Sequence, residues 1–363
     1  MVDRDLNMPL YIQIYNSLKE KIIQNEYKDE YLPSERILSE KYKVERATLR
    51  RALNLLVEDN LLIKIPGSGS KVNRELLERP IKVSKLSNNI AFILPAESSD
   101  KIYQPFIAAL FYDFEKECQS YNYNLFYIKL NSEEDLYERV FKTDLKGIVW
   151  VSKVNDILIK KANEINIPSI CISNYVPGIK SILCDNSLGS NLAINHLINL
   201  GHKKIGYING ISDYLNAIER FAGYISALNQ YGYEYDSSLV RDGDWTFESG
   251  YEATLDLIKS TPEITAIYAA NDMMALGAIK AIQQSDKAVP KDISVVGFDN
   301  INQGIYCSPA LTTIQVNIKT FANETLKALN RSIEDDNSTA LRVLIPTSLV
   351  IRESTKKPRG RYC

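Results

Sequence analysis

From residue 90 onward, short apolar runs and amphipathic stretches alternate along the chain. The runs are 90–95, 125–130, 147–152, 169–173, 204–210, 238–243, 266–271 and 293–299. Between them lie 105–120, 133–142, 155–165, 187–200, 216–231, 247–259 and 272–284, where apolar side chains recur at helical spacing. A strand covered by helices on both faces reads as a continuous apolar run, and parallel strands need a helix between them. The pattern therefore predicts an α/β fold with parallel sheets. About 265 residues divide better into two doubly wound lobes than into one sheet. No apolar run approaches the ~18 residues of a membrane-spanning helix, so no membrane association is expected.

Residues 1–74 are built differently. Apolar Leu10, Ile14, Leu18 and Ile22 mark a first amphipathic helix to about residue 25. Pro33 and Ser34 then stop the chain and cap a short second helix carrying Ile37 and Leu38. Tyr42-Lys43-Val44 forms a tight turn. A third helix begins near Glu45, with Leu49, Leu53, Leu56 and Val57 on one face and Arg46, Arg50 and Arg51 opposite. Leu61, Ile63 and Ile65 alternate with Leu62, Lys64 and Pro66 before a Gly-containing tip at 66–70, which reads as a hairpin. Residues 75–89 are polar and contain a proline; they read as a linker. The basic tail 356–363 is expected to be flexible.

With 43 Lys and Arg against 45 Asp and Glu, the net charge of −2 speaks against a nucleic-acid partner only while it is averaged. Residues 41–51 carry five basic side chains and one acid, and residues 60–74 three basic and none. The positive charge thus sits on the third helix, the turn before it and the hairpin, the elements that would meet a duplex. A solvated helix face would explain the arginines alone. It does not explain the short helix, turn and wing arriving in order.

Residues 9–72 resemble the GntR-type winged helix-turn-helix head. The resemblance rests on Pro9-Leu10-Tyr11, Leu32-Pro33-Ser34-Glu35-Arg36, Tyr42 with Val44, Arg46-Ala47-Thr48-Leu49-Arg50, Ala52-Leu53 and Gly67-Ser68-Gly69-Ser70. It implies that Arg36, Arg46, Thr48 and Arg50 contact operator DNA, with Arg51 on the same basic face, and that the wing tip at Gly67 and Gly69 reaches the minor groove. Glu45 stands where the family usually has Ser.

In the rear region Arg220, Trp245, Asn271 and Asp299 lie near or just past strand ends, the place where open parallel sheets bind ligands. Such groups pair with hydroxyls, and Trp245 offers an aromatic face to a sugar ring; partial burial and capping are their plain structural alternatives. Asp272 reads as the N-cap of helix 273–284. His196 and His202 are the only imidazoles, and the five cysteines show no metal-ligand or disulfide spacing. No phosphate loop, Rossmann fingerprint or His-partnered nucleophile is present. No catalytic residue, metal or cofactor is expected, and the odd, sparse cysteines suit a reducing cytoplasm.

Residues 88–355 resemble the effector domain of LacI/GalR-type regulators, a relative of periplasmic sugar-binding proteins. The motifs are Asp185-Asn186, the stretch 196–210, Arg220-Phe221-Ala222-Gly223-Tyr224, Asn271-Asp272, the stretch 290–299, Ser308-Pro309-Ala310-Leu311 and Val350-Ile351-Arg352. The resemblance implies that Arg220, Asn271 and Asp299 hydrogen-bond a sugar and Trp245 stacks on it. Ser173 and the loop 96–106, with Tyr103, would close the pocket from the other lobe. The chain would cross between lobes near residues 185, 314 and 337, giving lobe 1 as 90–185 and 315–337 and lobe 2 as 186–314 and 338–355.

A GntR-type head on a LacI/GalR-type sensor resembles the arabinose-responsive repressors of Gram-positive bacteria. The expected function is a homodimeric repressor of a palindromic operator, released by a monosaccharide such as L-arabinose. A purine or nucleoside sensor of the same build, and an activator, stay open. A sugar-processing enzyme would need an acid/base pair or phosphate loop that the sequence lacks.

Overall fold

The computed structural model describes residues 9–359 apart from 24–25, 28–30, 59–60, 66–68, 74–86, 96–100, 131, 133–134, 165–166 and 335–341. The chain forms two compact units, residues 1–82 and 83–363. Most of the expected linker, and Gly67 of the expected wing tip, lie outside the described residues.

The first unit has helices Leu10–Ile23, Glu35–Tyr42 and Arg46–Glu58, then a hairpin of β1 (Leu62–Ile65) and β2 (Gly69–Val72). Ser34 Oγ accepts from the Ile37 amide, capping the second helix, and Lys43 in the left-handed region (φ 52°) ends it. Ile14, Leu18, Ile22, Leu38, Leu49, Leu53 and Leu56 interlock as the core. The alternation expected in the hairpin is corrected. Leu62 is buried (2% exposed), whereas Ile63 faces outward (45%). The reason is local: the Leu61 amide bonds the Leu56 carbonyl, which holds Leu61 against the end of the third helix, and the strand itself begins at Leu62.

The second unit holds two six-stranded sheets. Lobe 1 contains β3 (Asn89–Pro95), β4 (Asn124–Leu130), β5 (Gly147–Val151), β6 (Ser169–Ile172) and β7 (Lys180–Cys184). Lobe 2 contains β8 (Ile205–Asn209), β9 (Val240–Asp242), β10 (Ala266–Ala269), β11 (Ser294–Asp299) and β12 (Thr312–Val316). The last strands are exchanged: β13 (Arg342–Ile345) joins lobe 1 and β14 (Thr347–Val350) joins lobe 2. The orders are β13-β7-β6-β5-β3-β4 and β14-β12-β11-β10-β8-β9, parallel except that β14 runs antiparallel to β12. Helices Pro105–Ser120, Asp156–Glu164, Asn186–Asn199, Leu215–Gln230, Phe247–Ser260, Asp272–Gln284 and Ile318–Glu334 are the crossover and covering layers. Ile318–Glu334 packs on Pro105–Ser120, β6 and β7.

Two expected boundaries move. The chain leaves lobe 2 after Val316, not near residue 314, because β12 completes its ladder to Asp299 opposite Gln315. It returns to lobe 2 at Pro346, between β13 and β14, not near residue 337. The expected lobe 2 segment 338–355 loses Arg342–Ile345, which pairs in parallel with residues 181–184 of lobe 1. The sensor also starts before residue 90: Ser87 is buried, its hydroxyl donating to the Asp144 carbonyl.

The expectation of a flexible tail fails for residues 356–359. The Lys356 amide donates to Ser294 Oγ, and its carbonyl accepts from both Ser294 Oγ and His202 Nε2. Arg359 pairs with Asp292 at 3.3 Å. With Nε2–H donating to that carbonyl, the neutral His202 ring takes the Thr265 hydroxyl on Nδ1 at 3.0 Å. Burial pushes His202 down to about 4, with the Lys356 bond pulling the other way. Because the folded ring resists the proton that the unfolded ring accepts near 6.5, its contribution is intact above about 6.5 and is lost as pH falls towards 4, on the order of 3 kcal/mol in total. A His202→Gln variant offers an N–H and a carbonyl to the same two partners and does not titrate. Urea denaturation at pH 7 and 4.5 should show the wild type losing more stability than this variant; parallel losses would remove His202 from the acid response.

Candidate functional site

In the head, the helix Arg46–Glu58 turns Leu49, Ala52, Leu53 and Leu56 inward, which leaves Arg46, Arg50 and Arg51 exposed and Thr48 half-buried. Arg50 Nε donates to Glu35 Oε2 of the second helix at 2.7 Å, so the two terminal nitrogens of its guanidinium fork face outward. Arg51 leans back over the Tyr11 ring, 5.8 Å from its centroid. Arg36 and Arg46 are exposed, and neither side chain has an ion-pair partner among the described residues. Glu45 supplies the carbonyl that receives the first turn's Leu49 amide. Gly69 (φ 95°) stands opposite Ile65 in the hairpin. Arg46, Thr48 and Arg50 thus share one helix, with Glu35 tying Arg50 to the helix that carries Arg36. Such a set offers cations and hydrogen-bond forks to phosphates and base edges.

In the sensor, β8, β10 and β11 are neighbours, so Asn209, Asn271 and Asp299 lie side by side at or just past their carboxyl ends. Arg220, from the helix Leu215–Gln230, reaches beneath them and is 3% exposed. Its Nε donates to Asn186 Oδ1 at 2.9 Å, Nη1 donates to the Ala270 carbonyl, and Nη2 stands 3.6 Å from Asp299 Oδ1. The guanidinium lies flat on Phe298, 3.6 Å from the ring centroid, and 5.7 Å from the Trp245 ring. Gly189 makes room for Phe298, since a Cβ there would come within 2.5 Å of the ring. Gly210 does the same for Trp245, which would lie 2.1 Å from such an atom. Trp245 is held by its backbone: its carbonyl accepts from Asn271 Nδ2 at 3.0 Å.

The structure therefore joins Arg220, Trp245, Asn271 and Asp299 in one cluster. Ser173 and Tyr103 stand apart from it in lobe 1. Ser173 ends β6 in the left-handed region (φ 56°), and Tyr103 is 78% exposed on a short turn, Lys101–Tyr103. The capping assignment is corrected. Asn271, not Asp272, caps the helix Asp272–Gln284, with Oδ1 accepting from the Met274 amide at 2.9 Å. Asp272 is buried behind it, accepting from the Ile301 amide at 2.9 Å and from the Thr313 hydroxyl.

The electrostatics follow from burial. Desolvation pushes Asp299 up to about 7 while Arg220 pulls it back, and it drives Asp272 well above the carboxylate range with the Asp299 charge adding to it. Arg220 stays protonated, held by Asp299 against the burial penalty. Beyond its bonds to Asn186 and Ala270, the fork keeps N–H groups on Nη1 and on the Nη2 that faces Asp299, beside an aromatic face, a set matched to hydroxyls on a ring with an apolar side. Sequence reasoning passed over Asn186 and Phe298 as ligand-site members. Both lie within the motif stretches, but their places beside Arg220 come from a crossover and a stacking contact that spacing does not encode.

Among the described residues, two ion pairs bridge the lobes. Lys153, after β5, pairs with Asp213, after β8; Arg342 of β13 donates to Glu219 Oε1 at 2.8 Å. Among the described residues no cluster of three or more metal-ligating side chains occurs, and no helix is long and apolar enough to cross a membrane.

Two family models match: bacterial regulatory proteins of the gntR family over residues 10–72, and a periplasmic binding protein-like domain over residues 194–355. The chain is 31% identical over 261 residues to the HTH-type transcriptional repressor PurR of Mannheimia succiniciproducens, covering 70% of this chain and 78% of that protein. It is similar in fold to a transcriptional regulator CelR–cellobiose complex, with TM-score 0.69, 22% identity, and coverage of 89% and 100%. It is likewise similar to a LacI family transcriptional regulator from Enterococcus faecium with bound ribose, with TM-score 0.68, 24% identity, and coverage of 74% and 99%.

Proposed function

We propose that this chain, which belongs to the HTH-type transcriptional regulators and joins a gntR-family head to a LacI-type sensor, is a cytoplasmic repressor released from its operator by a monosaccharide. Two heads of a homodimer would read the half-sites of a palindrome, with Arg36, Arg46, Thr48 and Arg50 at the DNA and the hairpin with Gly67 and Gly69 beside them. The effector would enter between the lobes, onto Arg220, Asn271, Asp299 and Trp245, with Tyr103 and Ser173 closing from lobe 1. The observation that carries this reading is the cluster of Arg220, Asp299 and Trp245 at the carboxyl end of the lobe 2 sheet. A buried cation and carboxylate that neutralise each other suit an uncharged polyhydroxyl ring, a monosaccharide such as L-arabinose.

Calorimetry against L-arabinose, D-ribose, cellobiose, adenine and hypoxanthine tests the effector class. One pentose should bind and weaken operator affinity by about 30- to 150-fold, the effect of a coupling of roughly 2–3 kcal/mol. Silence from every sugar together with binding of a base would replace the sugar by a purine.

A further inference from the structure

Asn186 is the first residue of lobe 2 after the chain crosses from β7, and it is fully buried. Its amide is used to capacity. Oδ1 accepts from Arg220 Nε at 2.9 Å and from Cys184 Sγ at 3.0 Å; Nδ2 donates to Glu219 Oε2 at 2.9 Å and to Asn216 Oδ1 at 3.2 Å. A flipped amide would set N–H against the guanidinium, so its orientation is fixed by its neighbours. The other oxygen of Glu219 receives Arg342 from lobe 1, whose guanidinium also lies 5.5 Å from the Tyr175 ring centroid, two residues past Ser173. The charges run in alternation, from Arg342 to Glu219, then past the neutral Asn186 to Arg220 and Asp299.

We propose that Asn186 is a positioning residue that couples the interlobe ion pair Arg342–Glu219 to the orientation of Arg220. With Arg342 in place, the Glu219 carboxylate is satisfied on both oxygens and leaves Arg220 to Asn186 and Asp299. Without Arg342, that carboxylate faces a second guanidinium one residue along its own helix, with only Asn186 between them. It then competes for Arg220 Nε and draws the fork away from Phe298 and Trp245. Contact between the lobes at Arg342 is thereby registered at the cluster through bonded neighbours. The inference rests on Arg220 being the effector-facing group, but its test contains no effector.

Trp245 provides the readout. The chain has two tryptophans, and Trp150→Phe leaves Trp245 alone. In that background, Arg342→Met should raise acrylamide quenching of Trp245 by about two-fold, as expected for a coupling towards the low end of its usual range. Arg342→Lys should restore the parent value. In an Asn186→Ser background, Arg342→Met should add nothing. Arg342 is half-exposed on an edge strand, so its replacement leaves the core intact, and a thermal melt of each variant verifies the fold. Unchanged quenching in Arg342→Met overturns the coupling. An equal change with and without Asn186 overturns the role of Asn186. Either outcome leaves the proposed effector site standing, since sugar binding by the parent protein is measured separately.

Discussion

An Arg220→Met variant should hold operator DNA as tightly as the wild type and keep holding it in saturating sugar. The substitution removes the group that would donate two or three charge-assisted hydrogen bonds to the effector. Losing two such bonds costs about 3 kcal/mol or more, a fall in effector affinity of roughly 150-fold or greater. The obvious objection is unfolding, because removing one member of a buried ion pair costs about 3–5 kcal/mol when the other stays charged. Here it need not stay charged. Burial already pushes Asp299 up to about 7 against the opposing pull of Arg220, so without Arg220 the carboxyl takes up a proton and stays neutral. The methionine can occupy the place of the guanidinium over Phe298. The expected variant is thus folded, DNA-bound and unresponsive. Operator binding by fluorescence anisotropy, with and without sugar, decides the matter alongside a thermal melt. Normal release by sugar would show that this cluster is not the effector site.

The second large effect belongs to the head. Arg46→Ala should weaken operator binding by about 1–3 kcal/mol if the side chain forks onto a base, and relax discrimination at one position. If it holds a phosphate, all sequences should weaken together, and the slope of log K against log salt should fall by about 0.9. Arg46 is the clean choice because no neighbour holds its side chain among the described residues, whereas Arg50 is tied to Glu35 and Arg51 leans on Tyr11. Effector binding should be unchanged. Operator affinity and salt slope equal to those of the wild type would remove Arg46 from the interface.

Much of this protein was legible because its local signals agree. Ser34 before an amphipathic segment, an apolar stripe from Ile14 to Ile22, and strand runs bounded by helical spacing all point one way. What escaped was set by tertiary pairing. The strand Lys180–Cys184 falls outside the alternation visible in the sequence, because the helix beginning at Asn186 follows it almost at once and no crossover helix precedes it. The lobe given to residues 342–345 was misread because a four-residue strand carries no mark of which sheet it will join; parallel pairing beside Cys184 decides it. In the site, Asp272 looked like a cap by composition, but a cap is defined by where the first turn begins, and that turn starts one residue earlier. The tail read as loose because its anchors, Ser294 and His202, are distant in sequence.

The exchange of strands between the sheets also orders events during synthesis. Among the described residues, the head's core and the side chains packed on it lie between Tyr11 and Val72. Lobe 1 lacks an edge strand until Ile345 has been added, and its covering helix Ile318–Glu334 arrives only shortly before. At ~5–20 residues per second, the interval between Val72 and Ile345 is roughly 14 to 55 seconds. For that period the growing chain has every residue of the head's core and no complete switch to govern it.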